Sequence, residues 1–396
     1  MTLKEQFGRD VLITGWSHTK FGKLIDETLE TLIVTVASEA IENAGLEPEQ
    51  IDEIYLGQFN SGLLPIGFSS SLALQASDAL ALVPATRVEN ACASGSSAVH
   101  QGVKSILAGS ARNVLVIGAE KMTHASASEV GAALLGAAYE TAGGTSTSGF
   151  AELFAETTKQ YQAKYGPVGD ALGAIAAKNH SNGMLNPYAH LQKDLGVEFC
   201  QTISATNPVV AAPLRRTDCS PVSDGAAALV LSSDGGSGTA ATTPVQLIGF
   251  GNANDFLPAN KRDATKFAAG RAAWNRALTI AGTSLSDLDF VEVHDCFTIA
   301  ELIMYEVIGL TSRGEGRRAI EEGWVHRDGK LPVNPSGGLK AKGHPVGATG
   351  VSQLVVAAMQ LSGTAGEMQL NNARRAAVHN MGGLAVANNV TVLEAV

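Results

Sequence analysis

The feature that most constrains this chain is a repeat of itself, displaced by 237 positions. A helical pattern ends at Ala44-Gly45, a turn follows, and Asp52 leads into the alternating run Glu53-Ile-Tyr-Leu56. The same succession ends at Ala281-Gly282 and resumes at Asp289, before Phe290-Val-Glu-Val293, with seven residues from glycine to aspartate in both copies (52 − 45 and 289 − 282). Self-similarity over so long a period means two copies of one supersecondary unit rather than two unrelated halves. Each copy opens on a strand-like run, Val11-Leu-Ile-Thr-Gly15 and Val245-Gln-Leu-Ile-Gly249. Strand and helix patterns then alternate, which predicts α/β halves packed side by side, with helices covering sheets.

A second correspondence lies deeper in the repeat. Cys92-Ala-Ser-Gly95 opens a helix of small residues, and His344-Pro-Val-Gly347 opens another, each with glycine three positions on. Both lead to a strand, Val114 to Gly118 and Ala377-Val378 into Gly382-Gly383. Residues 123–220 break the pattern, because Gly/Ser/Thr clusters such as 142–149 alternate there with helical segments such as Ala151 to Tyr165. They are expected to form an excursion out of the first half, returning on the strand Ala226 to Ser232. The expected domains are therefore 1–122 with 221–235, the inserted 123–220, and 244–396, joined by a Gly/Ser/Thr-rich linker at 233–244.

At 396 residues and 45% hydrophobic, the chain can bury two cores of ordinary size. Its net charge of −10, without any Lys/Arg block, opposes binding to nucleic acid or to anionic membrane. The amino terminus lacks an apolar signal core, the carboxy-terminal Leu-Glu-Ala-Val is not a peroxisomal address, and no run approaches the roughly 20 apolar residues that span a bilayer. Four cysteines (92, 200, 219 and 296) without CxxC pairs read as reduced thiols. A cytoplasmic protein is expected.

Four clusters carry chemistry. Cys92 sits where a strand end meets a helix start, so the helix dipole and free N–H groups there would favour the thiolate and later hold an oxyanion. Taken alone, it reads equally well as a buried structural cysteine. His344 lies at the corresponding place in the other half. If the halves pair about an approximate twofold axis, imidazole meets thiol in the Cys–His activation arrangement. His294-Asp-Cys-Phe297 follows the duplicated strand and offers an imidazole, a carboxylate and a second thiol. Without a second close ligand pair, it does not suggest a metal site. Val378-His-Asn-Met-Gly-Gly383 reads either as close backbone approach to a substrate or as a plain hairpin turn.

Asn90-Ala-Cys-Ala-Ser-Gly95, Gly343-His-Pro-Val-Gly-Ala-Thr-Gly350 and the duplicated halves together resemble the thiolase superfamily over essentially the whole chain. The commonest members carry Asn-Glu-Ala-Phe where this chain has His294-Asp-Cys-Phe297, and Cys-x-Gly where it has Asn380-Met-Gly382. That pair of departures, with Lys178-Asn-His and Asn186-Pro-Tyr188, is similar to the sterol-carrier-protein-type thiolases. The resemblance implies a five-layer αβαβα fold with an inserted loop domain, and an acyltransferase that cleaves 3-oxoacyl-CoA to acetyl-CoA and a shortened acyl-CoA, or runs the reverse condensation. It implies Cys92 as nucleophile, His344 as its base and Cys296 as the thiol that moves the α-carbon proton. His294, His344 and the backbone N–H groups of Cys92 and Gly382 are the implied oxyanion donors, and His379 is a further candidate.

By the same resemblance Ser220, in Ser220-Pro-Val-Ser-Asp-Gly225, contacts the pantetheine of coenzyme A, and Arg215 and Arg216 are candidates for its phosphates. Coenzyme A enters as substrate, and no cofactor is implied. A homodimer or a dimer of dimers is implied, with the first-half edge strand as a contact. Two other enzyme readings are a Cys-His-His condensing enzyme built on Cys92, His294 and His344, and an acyltransferase of specialised or steroid metabolism. A non-catalytic acyl-CoA or lipid carrier is the reading from a different class.

Overall fold

The computed structural model describes residues 3–145, 148–233 and 242–396. Its strands are β1 (Leu12–His18), β2 (Glu53–Gly57), β3 (Ala85–Val88), β4 (Asn113–Glu120), β5 (Val209–Ala211), β6 (Leu214–Arg215), β7 (Gly225–Ser232), β8 (Val245–Asn254), β9 (Phe290–Glu292), β10 (Arg375–Gly382) and β11 (Ala387–Ala395). Nine of them pair in the order β3-β2-β4-β7-β1-β8-β11-β10-β9. The order is a palindrome of the repeat. In the first half β2 runs parallel to β4 and β3, while β7 is antiparallel to β4 and β1. In the second half β9 runs parallel to β10, and β11 is antiparallel to β10 and β8. A parallel bridge from Val291 to Val333 stands where β3 stands in the first copy. The halves meet where β1 and β8 pair antiparallel through Leu12 with Gln246 and Ile13 with Val245.

Two helices form the middle layer, Ser94–Ala108 and Thr349–Leu361. The second is buried at every residue, as a helix covered on all sides must be. Val114, Leu229 and Leu231 of one half-sheet and Ala376, Val378 and Leu393 of the other join one hydrophobic cluster with Val99, Val103, Val351 and Leu354 of these helices. Both half-sheets thus wrap the same helix pair. Helix Leu29–Asn43 covers the outer face of the first half through Leu32, Ile33 and Val36, and helix Ala268–Ala281 covers the second through Ala273, Trp274 and Ala277. The result is helix, sheet, helices, sheet, helix.

The middle helices meet at their first turns, across glycine. A Cβ on Gly95 would lie 2.7 Å from the Gly347 carbonyl oxygen, and one on Gly118 equally close to the same atom. Only glycine lets these backbones approach so closely. This contact brings the two chemically loaded segments to one place.

Between β4 and β7 the chain leaves the sheet through helices Ala127–Leu135, Ala151–Tyr165 and Gly169–Met184, short helix Val197–Gln201, and the β5–β6 hairpin. Phe154, Tyr161, Leu172 and Ile175 of this excursion share a core with Ile299, Leu302, Ile303 and Met304 of helix Thr298–Val307 in the second half. Lys178 pairs with Glu301 at 2.9 Å, both buried. Residues 121–224 therefore lean on the second half. Of the expected linker, residues 234–241 lie outside the described residues, as do 146–147 of the cluster at 142–149.

Candidate active site

Cys92 follows β3 through a tight corner. Ala91 has a left-handed φ of 49°, a conformation that costs a non-glycine residue on the order of 1 kcal/mol. Hydrogen bonds hold the corner closed: Ser94 Oγ accepts from the Asn90 N–H at 3.0 Å and donates to the Ala91 carbonyl at 2.6 Å. The thiol is left at the foot of helix Ser94–Ala108, facing the second half.

That half supplies two imidazoles. One ring nitrogen of His294, one of His344 and the Cys92 sulfur all lie within 4.8 Å of one another, and the rings stand edge to face with centroids 5.0 Å apart. His344 is not the positional counterpart of Cys92. Helix Ser94–Ala108 begins two residues after Cys92, but helix Thr349–Leu361 begins five after His344, so the counterpart of Cys92 is Gly347. The extra turn, Pro345-Val-Gly347, lets the imidazole reach back to the thiol.

The hydrogen-bond network assigns the His344 tautomer. Thr349 Oγ1 donates to the Pro345 carbonyl at 3.0 Å and lies 2.6 Å from His344 Nδ1, so it accepts the Nδ1 proton. Nε2 is left with a lone pair. Burial, helped by Lys342, pulls the pKa of this imidazole down to about 3, so it rests as the free base.

Cys296 follows β9 and is buried, and its carbonyl accepts from the Ser220 N–H at 2.9 Å. Asp295 beside it is structural. Its carboxylate accepts from the backbone N–H groups of Leu339 (2.6 Å) and Lys340 (3.2 Å) and from Asn179 Nδ2 (2.7 Å), which ties down the segment leading to His344.

Cys92, Cys296, His344, Ser220 and Gly383 line one cavity of about 260 Å³. Its other walls are mostly apolar, with Phe59, Met122, Val130, Leu134 and Val346 on one side and Phe150, Val210, Val222 and Phe297 on another.

Set beside known proteins, residues 11–235 match the thiolase N-terminal domain and residues 253–395 the thiolase C-terminal domain-like family. The chain belongs to the thiolase family. It is 37% identical to an acetyl-CoA acetyltransferase of Methanothermobacter thermautotrophicus over 95% of this chain and 97% of that one. It is 32% identical to sterol carrier protein 2 of Oryctolagus cuniculus over 76% of this chain and 56% of that protein. Among solved structures it superposes on an Ltp2-ChsH2(DUF35) aldolase with a TM-score of 0.81 at 22% identity, covering 98% of both chains.

Within this thiolase several expectations need correction. The Cys92 thiol is not eased toward thiolate in the resting site. Burial, with the nearby Glu120 carboxylate, pushes its pKa up to about 12, against the pull of the N–H groups of Gly383 and of Cys92 itself. The N–H that meets the sulfur is that of Gly383, next to Gly382, where a Cβ would collide with the Asn90 carbonyl oxygen. His379 is buried on the far side of the sheet, where Nε2 meets Asn388 Oδ1 at 3.1 Å beside Gly270 of the outer helix. The pleat sends its neighbour Asn380 toward the site instead. Arg215 is buried against Asp218 and the carbonyls of Gln201 and Gly169, so its guanidinium is already committed. Arg216 is exposed, and neither arginine lines the cavity.

Three site residues were given no role by the sequence reading, and two of them, Thr349 and Asn380, lie within the runs it quoted. Glu120 ends β4, and its buried carboxylate accepts from Phe59, Asn60 and Gly347 N–H groups at 2.9 to 3.0 Å, pinning the His344 turn to the first half. Burial pushes its pKa up to about 7. An acid closing an otherwise apolar strand was its signal. Thr349 and Asn380 each hold one imidazole. Cys92, His294 and His344 are also the one group of side chains among the described residues spaced closely enough to ligate a metal ion.

Proposed function

We propose that this thiolase cleaves 3-oxoacyl-CoA to acetyl-CoA and a shortened acyl-CoA, and runs the reverse condensation, through an acyl group carried on Cys92. The observation that carries the reading is the meeting of Cys92 and His344 on the wall of an apolar cavity that also presents Cys296, with a ring nitrogen of buried His294 within 4.8 Å of both. His344 Nε2 takes the thiol proton as the sulfur attacks the 3-keto carbon. The bond to the α-carbon breaks, the electron pair passes to the acetyl-CoA enolate, and the Cys296 thiol protonates that carbon. Coenzyme A then attacks the acyl-enzyme and returns Cys92 as the leaving thiol.

The N–H groups of Cys92 and Gly383 suit the oxygen of the group on the sulfur, and His294 suits the thioester oxygen of the enolate. Ser220, on the cavity wall, is the pantetheine contact in this reading, and exposed Arg216 remains the phosphate candidate. Free cysteines support a cytoplasmic site of action, and among the described residues no helix is long and apolar enough to cross a membrane. The assembly in this reading is a homodimer paired through the open edge of β3.

A thiolysis assay on acetoacetyl-CoA and longer 3-oxoacyl-CoA tests the reading. Cys92→Ala is expected to lower kcat by at least about 10³-fold, and acetyl-CoA should add one acetyl mass to Cys92 in the parent and none in the variant. Thiolysis surviving intact in Cys92→Ala would end it.

A further inference from the structure

We propose that Asn380 is a positioning residue that fixes the tautomer of His294 and so makes that imidazole a hydrogen-bond donor toward the reacting thioester. The proposal rests on the thiolase reading above. Asn380 Nδ2 lies 2.8 Å from His294 Nδ1. Its Oδ1 accepts the Ser96 hydroxyl at 2.7 Å, and Ser96 Oγ accepts from Asn389 Nδ2 at 3.0 Å. Asn389 donates again to Ser97 Oγ at 2.9 Å. Read in this direction, every member of the chain has a partner, as buried polar groups require. The second acceptor within reach of the Ser96 hydroxyl, the Ala93 carbonyl, is farther away at 3.0 Å.

A nitrogen that accepts cannot also carry the proton. With Nδ1 accepting from Asn380, a neutral His294 must hold its proton on Nε2, and burial, helped by nearby His344, keeps the ring neutral. The two imidazoles are thereby set to opposite tasks. Thr349 takes a proton from Nδ1 of His344 and leaves a base, while Asn380 gives one to Nδ1 of His294 and leaves a donor. Because His294 then has no lone pair for the α-carbon proton, that transfer falls to Cys296, the other thiol beside Cys92 on the cavity wall. His379, one residue away, takes no part because it faces the opposite side of the sheet.

The test is a long-range ¹H–¹⁵N correlation spectrum of the full chain labelled with [¹⁵N]histidine, with His294 assigned by the signal lost in His294→Gln. The expected wild-type signal is the Nε2–H tautomer. In Asn380→Leu an Nδ1–H population should appear, with thiolytic kcat lowered about 10²-fold and KM changed less than about threefold. A wild-type Nδ1–H signal overturns the proposal, as does Asn380→Leu with an unchanged tautomer whatever its activity, or a changed tautomer with wild-type kcat. If Asn380→Leu does not fold, Asn380→Ala replaces it, and the wild-type spectrum decides independently of either. Failure of the thiolase reading shows separately, as wild-type protein without thiolysis.

Discussion

A thiol whose pKa is pushed up to about 12, facing an imidazole pulled down to about 3, forms a pair that is neutral on both sides at pH 7. Reactivity then depends on transfer of the proton within the pair, and the sulfur alone is a poor nucleophile. His344→Asn should therefore slow alkylation of Cys92 by iodoacetamide at pH 7.5 by at least about tenfold, with the residual rate climbing roughly tenfold per pH unit from 7 to 10, as expected for direct ionisation of a high-pKa thiol. Mass-resolved alkylation rates check this. A plateau near pH 8 in that variant would show that the thiol is acidified by the helix start after all.

Helix Ala127–Leu135 makes one wall of the cavity through Val130, Gly131 and Leu134. Glycine inside a helix costs roughly 1 kcal/mol relative to alanine, so its presence at the wall favours space over helix stability. Gly131→Leu is expected to lower kcat/KM for 3-oxoacyl-CoA of eight or more carbons by at least about tenfold while leaving acetoacetyl-CoA within about threefold, because a side chain there occupies acyl space but not the sulfur. Equal losses on both substrates would place Gly131 away from the acyl path.

What could be read in the chain divides along similar lines. The repeat predicted the two α/β halves and the meeting of the Cys92 and His344 segments, and local helical pattern predicted helix Ala151–Tyr165, because periodicity and glycine spacing are local properties. Which of His379 and Asn380 faces the site depends on strand register, where one position changes the face. Arg215 looked available because its partner Asp218 and the carbonyls of Gly169 and Gln201 converge only in the fold. The thiol's acidity was misjudged because burial, which sequence does not display, outweighs the N–H groups at the helix start.

Over the whole molecule, buried histidines set the acid limit. His18, His100, His180 and His344 are pulled down to about 3 and His379 to about 4, and His294 is also lowered well below its ordinary value, burial being the largest cause in each. A depressed folded pKa gives stability that is present above the unfolded value near 6.5 and is lost as pH falls toward 3. Glu120 and Asp295, pushed up to about 7, act in the opposite sense between about pH 7 and 4. Burial raises Glu292 as well, yet six imidazoles outweigh three carboxyls, so the urea midpoint should fall between pH 7.5 and 5, with net proton uptake on unfolding. A midpoint that rises over this interval would contradict the burial of these rings.

The open edge of β3 predicts self-association at the same scale, with Phe68 and Leu82 nearby at 90% and 98% exposure. Sedimentation equilibrium should give a dimer that Ala85→Pro weakens, because the β2–β3 register turns the Ala85 N–H away from β2 and proline removes that backbone donor from the edge. A wild-type monomer at micromolar concentration would exclude it.

The halves are stitched edge to edge by two residue pairs, while the sulfur belongs to one and both working imidazoles to the other. Their encounter is therefore a first-order event within one chain, with an effective concentration set by the tether. Expressed as separate fragments, the same two halves would have to find each other in solution, and their turnover would scale with the product of two concentrations.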